Sequence, residues 1–331
     1  MAYTIIIPIH NEESNIPDLL KGVEPYSSKH EIFIVDDGSI DGSFELLSNC
    51  PFIKLERIKQ NSGKGTAIRR GLDDAAFDKV IIFDGDMELD PAEISKLMIL
   101  DNNSGLVCVF GSRYLSGKLK RNNSFINKFV GKFNSFIFNI LFSESLSDVH
   151  CGAKIISREV IKKINLTIKD FGFEIDLASQ IAKNGFNIFE YGISYFSRST
   201  KEGKKITWID GFKAYYYLFK TRFIDNDIST KFSILFSTVY MIYIGSHFSK
   251  GTGSLLIILI TFIIGLFIGL KRKIVSSSLI YLFCFVGSLF SKGNGRVYTV
   301  ILGFFIGLYL SKEVARLIRK KTKNKFIHFF V

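Results

Sequence analysis

KVIIFDGD, at residues 79–86, decides the fold class of this chain, because a strand-like run leads directly into an Asp-Gly-Asp motif. The segment EIFIVDDGS, at residues 31–39, repeats the arrangement with two consecutive aspartates. Both runs are short, rich in β-branched or aromatic residues, and bounded by Gly and Asp, which is typical of buried parallel strands. Such sheets bind ligands outside the carboxyl ends of their strands. We therefore expect both acidic motifs to lie at one edge of a sheet.

The spacing of Asp84 and Asp86 predicts how this edge is used. Alternate side chains of an extended segment point the same way, so both carboxylates can face one ligand. Carboxylate oxygens suit Mg²⁺ or Mn²⁺, which also bind the phosphates of a nucleotide. The two motifs together therefore indicate a divalent cation and a sugar nucleotide. Each motif alone could equally be a turn with a helix cap.

Strand-like and helical segments alternate through the first 110 residues. Strands are predicted at 4–9, 31–35, 53–58, 79–83 and 106–110, and helices from about residue 15 and at 42–48, 65–76 and 91–100. The pair Asp90-Pro91 is typical of a helix start. This alternation predicts an α/β domain with a Rossmann-like, mostly parallel sheet that helices cover on both faces.

Two later segments combine aromatic and basic residues. Within residues 122–142, apolar side chains recur at helical spacing: Phe125, Phe129, Phe133, Phe136, Ile137 and Ile140. This pattern predicts an amphipathic helix, which could face the protein core or lie in a membrane interface. Residues 208–223 contain the single Trp and three consecutive tyrosines among basic residues. That composition is typical of a membrane-surface anchor.

The apolar residues are concentrated after residue 230. Of the 331 residues, 47% are hydrophobic, and the mean hydropathy is +0.23. Apolar runs occupy 232–248, 255–270, 274–290 and 297–310, each near the lower limit of about 17 residues for a membrane-spanning helix. They predict four spans, with two re-entrant hairpins as the alternative. The predicted organisation is a catalytic domain at 1–206, an interfacial helix at 207–228 and an all-α membrane domain at 229–331.

The net charge of +12, from 43 basic and 31 acidic residues, indicates an anionic partner. Basic clusters at 271–273 and 316–325 flank the predicted spans, which favours a membrane over a nucleic acid. By the positive-inside rule, these clusters and the N-terminal domain are cytoplasmic. No signal peptide is evident at the N-terminus. The four scattered cysteines suit a reducing compartment without structural zinc. The sequence leaves open whether the chain forms a homo-oligomer.

Several motifs occur in an order that resembles a known family. They are IPIHNE at 7–12, VDDGSIDG at 35–42, NSGKGTA at 61–67, DGD at 84–86, GSR at 111–113 and DVHCGAK at 148–154. This series is similar to that of family 2 glycosyltransferases with the GT-A fold. With the membrane spans, the chain resembles the polyprenyl-phosphate glycosyltransferases, such as the dolichyl-phosphate mannose and glucose synthases. The motifs cover roughly residues 4–206. One departure is His10, where the family usually has Tyr.

The resemblance implies roles for individual residues. The nucleotide sugar is expected to bind Pro8, His10, Glu12, Val35, Asp36, Asp37, Lys64, Asp84, Gly85 and Asp86. The metal ion, Mg²⁺ or Mn²⁺, is expected to bind Asp84, Asp86 and Glu88. The acceptor phosphate is expected to bind Arg113, Lys154, Arg198, Lys204 and Lys205. Asp84, Asp86, Arg113, Asp148 and Arg198 are the expected catalytic residues.

The expected reaction is metal-dependent, inverting transfer of a hexose from a UDP- or GDP-sugar to a polyprenyl or dolichyl phosphate. DVHCGAK, at residues 148–154, favours glucose over mannose. The alternatives are a processive polysaccharide synthase and a non-catalytic lipid-sugar flippase or scaffold. Processive synthases carry the signature Gln-X-X-Arg-Trp. This chain has neither that Gln nor that Arg before Trp208. Cys151 and His150 are interpreted as structural residues.

Overall fold

The computed structural model describes residues 1–104, 108–115, 120–121, 125–198, 208–226, 228–248 and 254–271, together with Tyr281, Cys284 and Ile306. The chain divides into two compact units, Met1–Arg222 and Phe223–Val331. Two predicted phosphate ligands, Lys204 and Lys205, lie outside the described residues.

The first unit is built on a mostly parallel sheet, as predicted. Its strands are β1 (Thr4–Ile9), β2 (Glu31–Asp37), β3 (Lys54–Ile58), β4 (Lys79–Ile82), β5 (Cys108–Ser112), β6 (Lys120–Arg121), β7 (Lys154–Ser157), β8 (Phe189–Gly192) and β9 (Tyr195–Phe196). Seven of these described strands form one sheet in the order β3-β2-β1-β4-β7-β5-β8, and β6 pairs with β9. In the large sheet only β7 runs antiparallel to its neighbours.

Helices of the first unit separate these strands. They are α1 (Ile16–Val23), α2 (Ser43–Ser48), α3 (Lys64–Asp73), α4 (Glu93–Ser104), α5 (Phe125–Phe142), α6 (Arg158–Ile161), α7 (Phe173–Lys183) and α8 (Trp208–Phe219). A π-helical turn, Lys220–Ile224, follows α8. The amphipathic helix predicted within 122–142 is thus α5.

The central strands of the sheet are buried on both faces, which explains the continuous apolar runs within β1, β2 and β4. In β1, Ile5 and Ile7 pack into one core cluster with residues of α1 and α4. The intervening Ile6 packs into a second cluster with residues of α3, α5, α7 and α8. Because successive strand residues point to opposite faces, both faces require apolar side chains.

The structure departs from the sequence-based expectation after β5. The sequence pattern predicts no strand beyond residue 110, whereas β7 inserts between β4 and β5, and β8 extends the sheet. Ile81 of β4 is opposite Ile155 of β7, and Val109 of β5 is opposite the same residue. A four-residue strand is too short for a clear period-two pattern, so it is recognised only from its pairing.

The second unit contains α9 (Ile228–Phe248) and α10 (Ser254–Lys271). Gly265 allows close contact between them, because a Cβ at this position would lie 2.7 Å from Cα of Thr238. The predicted spans 232–248 and 255–270 fall on these helices. The predicted spans 274–290 and 297–310 lie outside the described residues, apart from single positions.

Within the described part of the chain, we find no helix with both the length and the apolar character required to cross a membrane. The four spans stay a prediction.

Candidate functional site

The carboxyl ends of β1, β2 and β4 lie side by side in the sheet. Ile9 is opposite Asp36, and Ile6 is opposite Ile82. The acidic motifs that follow β2 and β4 therefore meet at one edge, beside a cavity of about 840 Å³. Most of the predicted site residues line this cavity: Pro8, His10, Glu12, Asp37, Lys64, Asp84, Gly85, Asp86, Glu88, Arg113 and Arg198.

Asp84 belongs to a chain of alternating charges. The Lys64 ammonium lies 2.7 Å from Oδ1 of Asp84 and 2.7 Å from Oε1 of Glu174. Glu174 also pairs with Lys154, which is fully buried and donates a second hydrogen bond to the Cys151 carbonyl. Burial alone would lower the pKa of Lys64, but the two carboxylates outweigh burial and raise it. The row is therefore held together by mutual charge compensation.

The ionised form of the Asp86 carboxylate is disfavoured in the folded protein. Its Oδ2 pairs with the Arg198 guanidinium at 3.0 Å. Burial, followed by the negative charges of Asp84 and Glu88, nevertheless raises the pKa of Asp86 to about 6. The other guanidinium nitrogen of Arg198 donates to Glu12 at 2.8 Å. Arg198 thus bridges Asp86 and Glu12 across the cavity.

Glu88 ties the acidic motif to the segment that contains Arg198. One carboxylate oxygen accepts a hydrogen bond from the Tyr195 hydroxyl at 2.6 Å, and the other accepts from the Arg198 backbone N–H at 2.8 Å. The preceding residue, Met87, has a φ of 58°, a left-handed conformation that is rare for residues other than glycine. This strained turn directs Glu88 toward Tyr195.

Arg113 is fixed by a buried carboxylate. Its Nε and Nη2 donate to the two oxygens of Asp148 at 2.7 Å and 2.9 Å, and its backbone N–H donates to Asp148 at 3.0 Å. Burial would raise the pKa of Asp148, but the Arg113 charge lowers it. Asp148 is fully buried and does not line the cavity. It acts as a positioning residue that presents Arg113.

The residues around the second acidic motif shape the opposite end of the cavity. The Asp37 carboxylate accepts backbone N–H groups of Ser62 at 2.8 Å and Gly63 at 2.7 Å. It thereby fixes the start of α3, where Gly63 has a φ of 94°. His10 donates from Nδ1 to the Asp37 carbonyl at 2.8 Å. Asn61 donates to Nε2 of His10 at 2.9 Å, so the imidazole ring is held from both sides.

Four predicted residues are not brought to the cavity. Val35 and Asp36 are fully buried, and Asp36 pairs with Arg57 at 3.3 Å. Asp148 and Lys154 are buried behind Arg113 and Glu174. In this structure these four side chains therefore lie outside the cavity lining, and Asp148 and Lys154 contact residues that do line it.

His150, which the sequence analysis interpreted as a structural residue, also lines the cavity. Other cavity residues lie outside the sequence motifs, and they include Asn134, Phe171, Glu174 and Tyr195. The sequence offers one indication that Glu174 is functional, because it is an acidic residue on a helix, α7, whose other residues are largely apolar. It offers none for Asn134, because one Asn in an amphipathic helix is ordinary.

We call the carboxylates Glu12, Asp37, Asp84, Asp86 and Glu88 the strand-end wall of the cavity. The helix wall comprises Ile126, Val130, Gly131 and Asn134 of α5, with Ala214 of α8. At Gly131 a Cβ would lie 2.5 Å from the Tyr114 hydroxyl, so a larger residue there would shift the Tyr114 side chain.

Helix α5 has two apolar faces. Phe138 and Phe142 are buried in the core. Phe125, Phe129, Phe133 and Phe136 are instead exposed and stacked, with neighbouring ring centroids 6.0–6.4 Å apart. We call these four residues the Phe ladder. One side of α5 thus packs into the protein core, and another side is an exposed apolar surface; its contact with a membrane interface stays a prediction.

The strand-end wall fits a divalent cation. Among the described residues, no three His, Cys, Asp or Glu side chains form a complete metal site. Mg²⁺, however, is usually held by one or two carboxylates, with phosphate oxygens and water completing the shell. Asp84 and Asp86 suit this arrangement. Burial, followed by the charges of Asp84 and Glu88, raises the pKa of Asp86, and a bound cation would favour its ionised form.

The sequence profile of Glycosyl transferase family 2 matches residues 4–165. The chain is 28% identical to polyprenol monophosphomannose synthase of Mycolicibacterium smegmatis, covering 59% of this chain and 77% of that protein. It is 26% identical to dolichyl-phosphate beta-glucosyltransferase of Dictyostelium discoideum, covering 58% and 65%. It is 28% identical to dolichol-phosphate mannosyltransferase of Pyrococcus furiosus, covering 62% and 61%. The alignments thus span less than two thirds of the second and third relatives.

Among solved structures, the fold is similar to that of glucosyl-3-phosphoglycerate synthase from Mycobacterium tuberculosis. A complex of that protein with Mn²⁺, UDP and glucosyl-3-phosphoglycerate superposes with a TM-score of 0.55, at 18% identity, covering 69% of this chain and 82% of that one. The likeness shows the fold.

Proposed function

This chain is a family 2 glycosyltransferase that belongs with the polyprenyl-phosphate glycosyltransferases, and on that premise we propose that it transfers a hexose, glucose or mannose, from a UDP- or GDP-sugar to a polyprenyl or dolichyl phosphate. The observation that carries the proposal is the meeting of two charge types in one cavity. Asp84 and Asp86 follow β4, while Arg113 and Arg198 line the same cavity.

The donor half of the proposal rests on the strand-end wall. Asp84 and Asp86 would hold Mg²⁺ or Mn²⁺ together with the donor diphosphate. When bound, the cation neutralises negative charge on the departing nucleoside diphosphate. His10, Asp37 and Asn61 form the end of the cavity where the base and ribose are expected. The backbone N–H groups at the start of α3 lie beside them and donate to the Asp37 carboxylate.

The acceptor half rests on the arginines. Guanidinium groups bind phosphate oxygens with two parallel hydrogen bonds. Arg113 is held rigidly by Asp148. Arg198 is shared between Asp86 and Glu12, so a cation that takes over Asp86 releases its guanidinium for a phosphate.

The proposed chemistry is a single displacement. An oxygen of the lipid phosphate attacks the anomeric carbon, a new C–O bond forms, and the bond to the nucleoside diphosphate breaks with its electron pair. Configuration at the anomeric carbon is therefore inverted. The acceptor phosphate is ionised at neutral pH, so no strong general base is required. This agrees with a cavity whose carboxylates are all engaged in other contacts.

In this proposal, the lipid chain of the acceptor lies along α5. The helix wall is mostly apolar, and the Phe ladder lies exposed on the same helix. Exposed aromatic residues of this kind suit acyl chains at a membrane surface. We also propose that the chain is an integral membrane protein whose catalytic unit is cytoplasmic, on the basis of the charge distribution of the sequence.

The test is a donor panel. Purified protein is incubated with Mn²⁺, undecaprenyl phosphate or dolichyl phosphate, and UDP-glucose, UDP-galactose or GDP-mannose, and the lipid product is identified by mass. We expect transfer to the phosphate and hardly any to the matching prenyl alcohol. Arg198→Ala should reduce transfer far more than Lys162→Ala, which removes an exposed lysine. Equal transfer to alcohol and phosphate, or no product from any donor, would refute the proposal.

A further inference from the structure

One amide side chain that lines the cavity has an oxygen atom without a hydrogen bond. Asn134, on α5, has only 1% of its surface exposed and lines the cavity. Its Nδ2 lies 2.9 Å from Nε2 of His150, whereas its Oδ1 accepts no hydrogen bond from any described residue. Buried amide oxygens are nearly always paired, so an exception requires an explanation.

The neighbouring amide of the same helix behaves in the ordinary way. Asn139 donates to the Leu146 carbonyl at 2.8 Å and accepts from the Leu146 backbone N–H at 2.9 Å. Both asparagines thus connect α5 to the segment 146–150, but only Asn139 has both amide atoms satisfied within the chain. Asn134 is therefore not required in full by the packing of α5.

The surroundings of Asn134 are polar but carry little net charge. Burial, followed by the nearby Arg113 charge, lowers the pKa of His150 to about 4, so the ring is neutral at physiological pH. The Arg113 charge is balanced by Asp148 through two hydrogen bonds. Asn134 and His150 are themselves uncharged, so they offer a ligand hydrogen bonds rather than a counter-charge.

The corner also lies next to the donor carboxylates. Gly152 follows His150 by two positions and packs directly against Asp84, whose carboxylate a Cβ on Gly152 would strike. A group attached to a diphosphate held at Asp84 can therefore extend toward Asn134 and His150. For a nucleotide sugar, that group is the sugar.

We propose that Asn134, held in place by its contact with His150, binds a hydroxyl group of the donor hexose. A hydroxyl both donates and accepts, so it satisfies Oδ1 as assigned. It equally satisfies Nδ2 if the amide is turned over. This inference rests on the proposed nucleotide-sugar donor, and it assigns sugar recognition to α5 rather than to the strand ends.

The test separates sugar recognition from nucleotide recognition. Titration calorimetry of the full-length protein with Mn²⁺ compares UDP with UDP-glucose, and GDP with GDP-mannose. Asn134→Ala should weaken binding of the nucleotide sugar about tenfold, because the hydroxyl loses a buried partner. Its affinity for the free nucleoside diphosphate should stay within about twofold of wild type. Equal weakening of both ligands, or of neither, overturns the inference.

Deoxy donors identify the hydroxyl. The 2-, 3-, 4- and 6-deoxy forms of the bound sugar nucleotide are titrated into wild type and Asn134→Ala. One deoxy sugar should bind wild type about tenfold more weakly than the parent and should lose nothing further in the variant. If every deoxy sugar loses the same factor in both proteins, Asn134 reads no hydroxyl.

Asn139→Ala is the matched control. It removes an amide from the same helix and lowers the melting temperature, but it should not change the ratio of sugar-nucleotide to nucleotide affinity. Asn134→Leu fills the same volume without polar atoms and serves if the alanine variant does not fold. Because the readout is binding, failure of transfer to lipid phosphate would refute the proposed function and leave this inference to be decided by the affinity ratio.

Discussion

The two walls of the cavity differ in whether their polar groups already have partners. In the strand-end wall the carboxylates already have partners, as in the pairs of Asp84 with Lys64 and Asp86 with Arg198. In the helix wall most residues are apolar, and Asn134 has an unsatisfied oxygen. A ligand must therefore displace existing partners on one side, whereas it adds a missing partner on the other. Binding at the first wall is an exchange of charges, and binding at the second is completion of a hydrogen bond.

The largest expected effect tests the exchange at the strand-end wall. Asp86→Asn should lower turnover by about 10³-fold or more, because metal charge stabilisation contributes several kcal/mol to the transition state. The melting temperature of the ligand-free protein should not fall, since the ionised form of Asp86 is disfavoured in the folded state. Asp18→Asn, an exposed acid on α1, is the control. Near-normal turnover in chelator-treated wild type would contradict the role of Asp86.

The second largest expected effect concerns the buried ion pairs next to this wall. Glu174→Gln leaves Lys64 and Lys154 beside a neutral amide, and an uncompensated buried charge costs about 3–5 kcal/mol. The melting temperature of the first unit should fall by about 6–20 °C, at roughly 2–4 °C per kcal/mol for a domain of this size. Glu159→Gln breaks an exposed pair with Lys163 and should cause no measurable change. Similar melting curves for the two variants would show that the buried row is not coupled.

Acid should affect stability with opposite signs through Asp86 of the strand-end wall and through His150, which contacts Asn134 of the helix wall. The folded-state pKa of His150 is lowered to about 4, so the unfolded chain takes up its proton first and stability falls as the pH drops from about 6.5 toward 4. The pKa of Asp86 is raised to about 6, so the folded state takes up that proton first. This second contribution is present at low pH and is lost as the pH rises through about 6.

These opposing contributions are measured by denaturant unfolding of the first unit at pH 7 and pH 5. Relative to wild type, His150→Gln should gain about 2 kcal/mol on acidification, and Asp86→Asn should lose about 1 kcal/mol. Identical pH dependence in all three proteins would mean that neither group titrates as its surroundings indicate.

The smallest expected effect concerns the outer side of the helix wall. Phe129→Ser, in the Phe ladder, should reduce transfer to a long polyprenyl phosphate in vesicles by about three- to tenfold, because the exposed ring no longer contacts acyl chains. Transfer to a short, soluble prenyl phosphate should be unchanged. Leu46→Ser, an exposed apolar residue of α2, is the control. Equal losses with both acceptors would place Phe129 in the fold rather than at the membrane.

The strand-end wall could be predicted from the sequence, because its residues follow apolar strands in short motifs. Asp84, Asp86 and Asp37 lie where the strand pattern placed them, and β1 to β4 agree with their predicted ranges to within a few residues. In a parallel sheet, position along a strand fixes position in space. Local pattern and three-dimensional location therefore carry the same information.

The helix wall could not be predicted in the same way. The amphipathic pattern gives α5 its length, but the contact between Asn134 and His150 depends on how the segment 146–150 folds back onto the helix. Lys154 shows the same difficulty. Its motif suggested a phosphate ligand, whereas its strand, β7, enters the middle of the sheet and buries the side chain against Glu174. Long-range pairing decides both cases, and no local signal reports it.

The late arrival of β7 has a consequence for synthesis of the chain. β1 to β4 leave the ribosome as a set that can pair within itself, since β1 binds both β2 and β4. β5 follows at Cys108–Ser112, but its neighbours in the sheet, β7 and β8, are not made until residues 154–157 and 189–192. Until then, one edge of β4 and both edges of β5 carry unpaired backbone groups that can bind other chains. Translation of residues 113–153 is thus the interval in which a nascent chain most needs a chaperone, and a ribosome that pauses there should produce aggregates rather than a smaller folded domain.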